Sequence, residues 1–353
     1  MKNKRQIAIL IPAYNEEKLL IQTLKSLLKI VSKQDIYLVD DCSTDKTAKI
    51  AQKYLKHILS LEKNQGKAQS LNKGIEYFDL IKKYQYIFPI DADTKIEPDF
   101  IKKIINKFNL DKKIVAVVGK ICGTDRSWIT SYRLWEYEIG QSLHKNAQEK
   151  EGAIVVCPGC TTVYKSQLFQ KVKFPFDTQT EDMDLTFQIH RQKLGKIVLC
   201  PEAKALTQDP LTLKDFIKQQ ERWYTGYWQC VQKHKIPFGK QMLDFEVALA
   251  STEGLFGCLL TLAVIIFSPL IITLNPFLLI SGLAIDFFLF FIPSIYLTCF
   301  KNDTLKLFKY LPHFYFLRFL ASLIFLKSFS KTLLGLDKQS NWNKVTRYSF
   351  QGA

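Results

Sequence analysis

Acidic residues are the scarcer charge in this chain: 33 Asp and Glu stand against 49 Lys and Arg over 353 residues, a formal net charge of +16. The imbalance points to an anionic partner, whether nucleic acid, a lipid surface or a phosphorylated substrate. Also missing is a secretory signal ahead of the first apolar run, residues 7–11, so the N-terminal part is expected in a reducing, cytosolic setting. In that setting the eight scattered cysteines do not read as a disulfide framework. Cys157-Pro158-Gly159-Cys160 has redox or zinc spacing, but no other close Cys or His pair supplies the second half of a zinc site. There is no internal repeat and no low-complexity linker. Charge itself is absent from residues 254–274 and 276–285. That absence favours a membrane over nucleic acid, because the lysines are spread over helices and flanks rather than gathered into one basic motif.

With 47% hydrophobic and 13% aromatic residues, the chain has ample material for a packed core. It divides near residue 240. Before that point residues 7–11, 36–39, 86–90 and 115–118 read as buried parallel strands, and the first two are followed by helical patterns at 16–30 and 45–55. This punctuation predicts an α/β domain with ligands at the carboxyl ends of its strands. After residue 240, stretches 254–274 and 277–300 each supply the roughly 20 apolar residues of a membrane span, with Asn275-Pro276 between them. Asp286 inside the second is costly in lipid and is expected to face protein or a polar path. A third stretch, 311–334, is long enough to cross but carries Arg318, Lys327 and Lys331. If all three cross, Lys301, Lys306 and Lys309 lie inside while Lys338, Lys344 and Arg347 lie outside, against the positive-inside tendency. An interfacial or re-entrant third helix removes that conflict.

Four acidic or polar signatures and one lysine are the candidates for chemistry. Asp91-Ala92-Asp93 closes the strand at 86–90, and two carboxylates two residues apart can offer oxygens to one hard divalent cation that neutralises a diphosphate. Taken alone, the same pattern is a solvated turn. Asp40-Asp41 also ends a strand, where a carboxylate can accept from a nucleotide base, although Ser43, Thr44 and Asp45 are good helix caps. Lys67, in Asn64-Gln65-Gly66-Lys67-Ala68, can pair with a base carbonyl or a phosphate, or simply be solvated. Thr180-Glu181-Asp182 is the candidate general base, and equally a cap for a helix at 183–192. Gln219, Arg222 and Trp223 share one face of a helix expected at 213–232. That face offers an indole to a sugar ring and donors to hydroxyls, or else a membrane-interface anchor with Tyr224, Tyr227 and Trp228.

In this order the segments Ile11-Pro12-Ala13-Tyr14-Asn15-Glu16, Val39-Asp40-Asp41-Cys42-Ser43-Thr44-Asp45, Gly66-Lys67-Ala68, Asp91-Ala92-Asp93, Pro158-Gly159-Cys160, Thr180-Glu181-Asp182 and Gln219-x-x-Arg222-Trp223 resemble those of membrane-bound family 2 glycosyltransferases. That group includes cellulose, chitin, hyaluronan and poly-N-acetylglucosamine synthases. The resemblance covers about residues 5–230. It implies a GT-A fold in residues 1–240, a membrane domain in 241–353, and inverting sugar transfer from a UDP-sugar. The donor would be held by Pro12, Ala13, Tyr14, Glu16, Asp40, Asp41, Lys67, Asp91 and Ala92, and Mg²⁺ or Mn²⁺ by Asp91 and Asp93. Asp182 would be the base, with Gly159, Cys160, Glu181, Gln219, Arg222 and Trp223 on the acceptor side. The expected product is a β-linked polysaccharide made at the cytosolic face of the cell membrane by a multi-pass protein. The alternatives are a single sugar added to a membrane lipid, and a membrane-anchored sugar-nucleotide sensor without turnover. Partners would be a UDP-sugar, a glycan or lipid acceptor, the bilayer and a possible membrane subunit, and no nucleic acid. Two features depart from the polymerising relatives: the first strand begins within ten residues, and only two or three spans are expected. The tail Asn341-Trp342-Asn343-Lys344-Val345-Thr346-Arg347 resembles the end of some members and reads only as an interfacial anchor.

Overall fold

The computed structural model describes residues 4–123, 126–299, 310–337 and 346–348. Lys301, Lys306, Lys309, Lys338 and tail residues Asn341, Trp342, Asn343, Lys344 and Val345, all weighed above, lie outside the described residues. The N-terminal part is built on one eight-stranded sheet. Its strands are β1 (Arg5–Ala13), β2 (Ile36–Asp40), β3 (His57–Ser60), β4 (Tyr84–Pro89), β5 (Lys95–Ile96), β6 (Ile114–Cys122), β7 (Thr162–Lys165) and β8 (Lys196–Leu206), in the order β3-β2-β1-β4-β7-β6-β8-β5. The four strands expected from sequence are β1, β2, β4 and β6. The first three pair in parallel, while β7 runs antiparallel between β4 and β6. β3, β5 and β7 are too short to have stood out, whereas β8 carries a four-residue apolar run at 197–200 that was not singled out.

Strand β1 shows why the domain holds together. Ile7, Ile9, Ile11 and Ala13 enter one core and Ala8 and Leu10 the other, so a continuous apolar run is buried on both faces. The first core is closed by α1 (Leu20–Leu28) and α5 (Phe100–Leu110), and the second by α3 (Lys67–Tyr77) and α8 (Glu181–Arg191). Gly74 of α3 is bare for a reason: a Cβ there would lie 2.8 Å from both Leu10 and Val39, so the helix could not sit this close to the sheet. The chain reverses its strand order at β1, between β2 and β4. The carboxyl ends flanking a reversal leave a crevice, the usual ligand position in open α/β sheets.

Two further helices frame that crevice, α6 (Trp128–Ile139) and α9 (Leu213–Lys233), with the short α2 (Thr47–Tyr54), α4 (Leu80–Lys83) and α7 (Lys145–Lys150) filling the periphery. The C-terminal part is helical: α10 (Met242–Leu274), α11 (Pro276–Cys299) and α12 (Leu311–Leu333). Among the described residues α10 alone is long and apolar enough to cross a bilayer, with a mean hydropathy of 2.6 in its best window; Pro276–Phe288 is a shorter apolar stretch. The helix starts twelve residues before the expected span at 254. Leu243 and Val247 are buried against the N-terminal part, and Arg191 pairs with Asp244 at 2.6 Å. The exposed apolar surface begins beyond that anchor, at Phe256, Leu259 and Leu260.

Asp286 faces protein: Arg318 of α12 grips both its oxygens, at 2.8 and 2.9 Å, so two charges in apolar helices satisfy each other. α12 in turn lies along α9. Phe325 and Phe329 pack on Trp228 with ring centroids 5.1 and 4.7 Å away, Lys327 and Lys331 pair with Glu221, and Thr225 bonds Ser328. The basic residues of α12 are thus partly explained by the acidic partner opposite. Trp228 is 5% exposed, so Trp228→Ala should remove the main wedge of this contact and cost about 3–5 kcal/mol, read as a lower thermal midpoint of the purified protein.

Candidate active site

The crevice is built first from two loops sewn to each other. β1 ends at Ala13 opposite Asp40, and Asn15 and Cys42 each take positive φ so that both chains turn sharply just past their strands. Ser43 Oγ accepts from the Asn15 N–H at 2.9 Å, Asn15 Oδ1 from the Thr44 N–H at 2.8 Å, and Thr47 Oγ1 from the Glu16 N–H at 2.7 Å. The capping expected of Ser43, Thr44 and Asp45 is largely diverted into this seam. Only Asp45 reaches α2, accepting from the Thr47 N–H at 2.8 Å. Pro12 and Tyr14 are half-buried, Ala13 is buried, and Glu16 is buried at 5% exposure in the turn before α1 rather than in the helix expected from residue 16.

Asp40 and Asp41 separate in role. Asp41 accepts from the Gln65 and Gly66 N–H groups, both at 2.8 Å, and Asn64 donates to its carbonyl. It thereby fixes the start of α3, where Gly66 has φ +86°. Asp40 keeps one longer contact, from the Ser43 N–H at 3.4 Å, and burial pushes its carboxyl up from the ordinary range.

The loop that Asp41 holds delivers Lys67. Its Nζ lies 2.6 Å from Asp91 Oδ1 and 3.0 Å from Glu181 Oε1, joining the end of β4 and the first turn of α8. Burial alone would push this ammonium down, but the carboxylates of Asp91, Glu181 and Asp182 outweigh it and hold the pKa above the ordinary lysine value. Glu181, expected on the acceptor side, is therefore part of the Lys67 cluster. Asp93 is 5% exposed and meets a different cation, Arg347, whose Nη1 donates to its Oδ2. Ala92 between the two aspartates is buried, its carbonyl accepting from the Thr23 hydroxyl at 2.8 Å.

Asp182 follows Glu181 at the start of α8. One oxygen accepts from its own neighbour Met183 N–H at 2.8 Å, and the other from the Gly159 N–H at 3.4 Å. Burial, reinforced by the Glu181 charge, pushes its carboxyl above the ordinary aspartate range, while Lys67 and Arg222 partly offset the rise. Thr180 occupies the cap position of α8 without capping it. It packs instead on Gly226 of α9, where a Cβ would come within 2.5 Å of the threonine. The Thr180-Glu181-Asp182 turn is in this way keyed to the helix that carries Gln219, Arg222 and Trp223.

On that helix Arg222 donates to the Gln179 carbonyl at 3.3 Å, and the Gln219 Oε1 is buried without a hydrogen-bond partner among the described residues. The Trp223 ring is stacked by the Arg133 guanidinium at 4.6 Å, which also lies 4.6 Å over Tyr137 and pairs with Glu136. Arg133 is 2% exposed and was not singled out from sequence. Its only local signal is the Glu three residues on. Lys145, also missed, is buried, and burial pushes its ammonium down against the opposing influence of Cys157, Cys160 and Asp182. Burial likewise raises both thiols of the Cys157-x-x-Cys160 pair, Cys157 to about 12, so neither is a ready thiolate. Among the described residues no group of three or more His, Cys, Asp or Glu side chains is gathered as a metal cage.

Gly159 leaves the room that Lys67 uses: a Cβ at this position would sit 2.8 Å from Nζ and 3.8 Å from Asp91. Gly159→Ala should therefore displace the ammonium without unfolding the sheet. Nucleotide binding by calorimetry is expected to weaken by about tenfold, as for loss of one charge-assisted bond, with the thermal midpoint nearly unchanged.

Comparison with known proteins agrees with this architecture. A poly-beta-1,6-N-acetyl-D-glucosamine synthase of Staphylococcus epidermidis is 28% identical over 275 residues, covering 73% of this chain and 65% of its own length. The Staphylococcus aureus protein of that name is 30% identical over 228 residues, covering 62% and 54%. The chain thus spans between about half and two thirds of these relatives. A mannosyltransferase from Pyrobaculum calidifontis, solved with GDP-Man and Mn²⁺, superposes with a TM-score of 0.60 over 96% of this chain and 89% of its own, at 16% identity. That likeness establishes the GT-A-like α/β fold. Residues 8–173 match the profile of Glycosyl transferase family 2, and the chain carries a domain of that family.

Proposed function

We propose that this protein is a membrane-bound, inverting glycosyltransferase that extends a β-linked polysaccharide from a UDP-sugar at the cytosolic face. The observation that carries the reading is the convergence of Asp91, Lys67, Glu181 and Asp182, from three elements, at the carboxyl edge of one sheet, with Asp182 beside but not consumed by the ion-pair cluster. The names of the staphylococcal relatives make N-acetylglucosamine the first sugar to consider.

In the mechanism that follows, the base of the nucleotide rests near Asp40, and the diphosphate comes to lie against Lys67, whose ammonium exchanges a carboxylate partner for phosphate oxygen. Asp182 accepts the proton of an acceptor hydroxyl as that oxygen bonds to the anomeric carbon. The bond from that carbon to the diphosphate breaks with inversion, and UDP leaves carrying the electron pair. Trp223, its plane held by Arg133, offers a face to the acceptor sugar, and Gln219 and Arg222 offer polar groups beside it. Asp91 and Asp93 would hold Mg²⁺ or Mn²⁺. Two carboxylates without a protein cage suit such an ion, which draws its remaining ligands from substrate phosphates and water. When bound it neutralises charge on the leaving diphosphate.

A second reading, transfer of one sugar to a membrane lipid, is favoured by the single long apolar helix among the described residues, which leaves little material for a polymer channel. Product size separates the two: a ladder supports the polymerase and a lone glycolipid the alternative. For the chemistry itself, purified protein in lipid with Mn²⁺ or Mg²⁺ is expected to release UDP from one member of a UDP-sugar panel. Asp182→Asn should lower that rate by about 10²–10⁴-fold while nucleotide binding persists. Because a base must be ionised and Asp182 is shifted upward, the acidic limb of the rate profile should fall at a pH above that of an ordinary aspartate. An Asp182→Asn enzyme with wild-type turnover would sink the assignment.

A further inference from the structure

The first turn of α8 carries three acidic residues, and each is met from a different side. Glu181 pairs with Lys67, Asp182 accepts from the Met183 and Gly159 N–H groups, and Asp184 turns to the far end of α9. Asp184 is fully buried, yet both its oxygens are partnered. Lys233 Nζ donates to Oδ2 at 2.7 Å, the Thr178 hydroxyl donates to the same oxygen at 3.0 Å, and His234 Nε2 lies 2.7 Å from Oδ1. Lys233 is itself held by Asp177 at 2.6 Å, and the His234 ring meets Phe187 edge-on with centroids 5.3 Å apart. Burial alone would raise the Asp184 carboxyl, but the bonds from His234 and Lys233 outweigh it and hold it below the ordinary aspartate range, opposite to the shift at Asp182.

Residues two apart on an α-helix point about 200° apart, so Asp182 and Asp184 leave α8 on opposite faces. A clamp on one therefore sets the direction of the other. The turn is tethered on its other flank as well: the Asp182 carbonyl accepts from the Thr186 hydroxyl at 2.7 Å, and that oxygen accepts from the Cys157 N–H at 3.0 Å, just ahead of the Gly159 N–H that meets the Asp182 carboxylate. A buried carboxylate that loses its cations is strongly disfavoured, so α8 cannot roll without breaking the Asp184 contacts. We propose that Asp184 is a positioning residue for the base: Lys233 and His234 pin its carboxylate, fix the roll of the first turn of α8 and so aim Asp182 into the crevice. This rests on the reading of Asp182 as the base, and adds to it the residues that set the base's direction. Because Lys233 and His234 close the helix that bears Gln219, Arg222 and Trp223, the base and the acceptor platform are held in one frame.

The test is UDP release by the full chain in lipid with Mn²⁺, using the panel sugar that wild type turns over, with UDP affinity measured alongside by calorimetry. Asp184→Asn is expected to lower kcat by about 10–10²-fold, the effect of an ångström-scale misplacement of the base, with UDP affinity unchanged. In the Asp182→Asn background the same substitution should change the residual rate by less than about twofold, because a residue that acts through the base then has nothing left to position. His234→Ala should lose about tenfold in kcat, and His234→Gln, which keeps a donor toward Oδ1, should recover most of it. That pair carries the test if Asp184→Asn does not fold. If Asp184→Asn lowers the rate by the same factor with and without Asp182, or if His234→Ala and His234→Gln behave alike, Asp184 is structural only and the inference is overturned. If Asp182→Asn is slow while Asp184→Asn turns over like wild type, the positioning role is wrong and the base assignment stands. Wild-type turnover by Asp182→Asn would end both.

Discussion

One ammonium group holds the site together. Lys67 is presented by the start of α3 and reaches the end of β4 through Asp91 and the start of α8 through Glu181. β4 and α8 each bring a carboxylate to one edge of the sheet, and α8 comes from a part of the chain remote in sequence from the other two. Such a gathering of negative charge is unfavourable in a partly dehydrated crevice unless a cation lies among it. The lysine is effective because it is itself held: Asp41 spends both oxygens on the backbone that leads into α3, and Gly159 leaves the space into which the side chain extends. An acidic residue that looks available for substrate in the sequence is thus an architectural one, and its adjacent twin Asp40 is left comparatively unspent.

The same keying runs outward to the apolar helices. Thr180 rests on Gly226, so the turn bearing Asp182 moves with α9. α9 is packed by aromatic rings and ion pairs onto α12, and α12 is tied to α11 by Arg318 and Asp286. The first turns of α10 are buried in the N-terminal part and anchored by Arg191. The boundary drawn near residue 240 from composition marks a change of surface, from polar to apolar, but the packing crosses it. The turn bearing Asp182 and helix α9 are thus fixed to the apolar helices, and their orientation relative to those helices is defined by the fold itself.

The readable parts of this structure were those with local causes. Continuous apolar runs announced β1, β2, β4 and β6, and their carboxyl ends placed Asp40, Asp41, Asp91 and Asp93 at one edge. Helix starts were read less well. Of the caps offered at residues 43–45, Ser43 is spent on the neighbouring loop and only Asp45 reaches α2, and α1 begins four residues later than its pattern suggested because Glu16 is drawn into the crevice. Strand β7 was invisible because it is four residues long and is completed only by neighbours on both sides. Arg133 and Arg347 escaped for a stronger reason: each matters through a partner that is close in space and remote in sequence, Trp223 for one and Glu16 for the other.

The placement of cations explains why the crevice can be so acidic and still well ordered. Asp91 has Lys67, Asp93 has Arg347, and Asp182 is within the fields of Lys67 and Arg222. Asp91, Asp93 and Asp182 are thus compensated by cations from within the chain, whereas Asp40 and Asp41 are met by backbone N–H groups. On the proposed mechanism a diphosphate arriving with its own counterions would not fill a void but exchange partners, substituting phosphate oxygens for carboxylate oxygens around Lys67. Exchange of this kind costs less than assembling charges from solvent, because the positive groups are already dehydrated and oriented. On the proposed mechanism it also bears on Asp182: with the lysine turned toward phosphate, one of the two charges that hold the Asp182 pKa down would be shared elsewhere, and the carboxylate would be more basic when an acceptor proton must be taken.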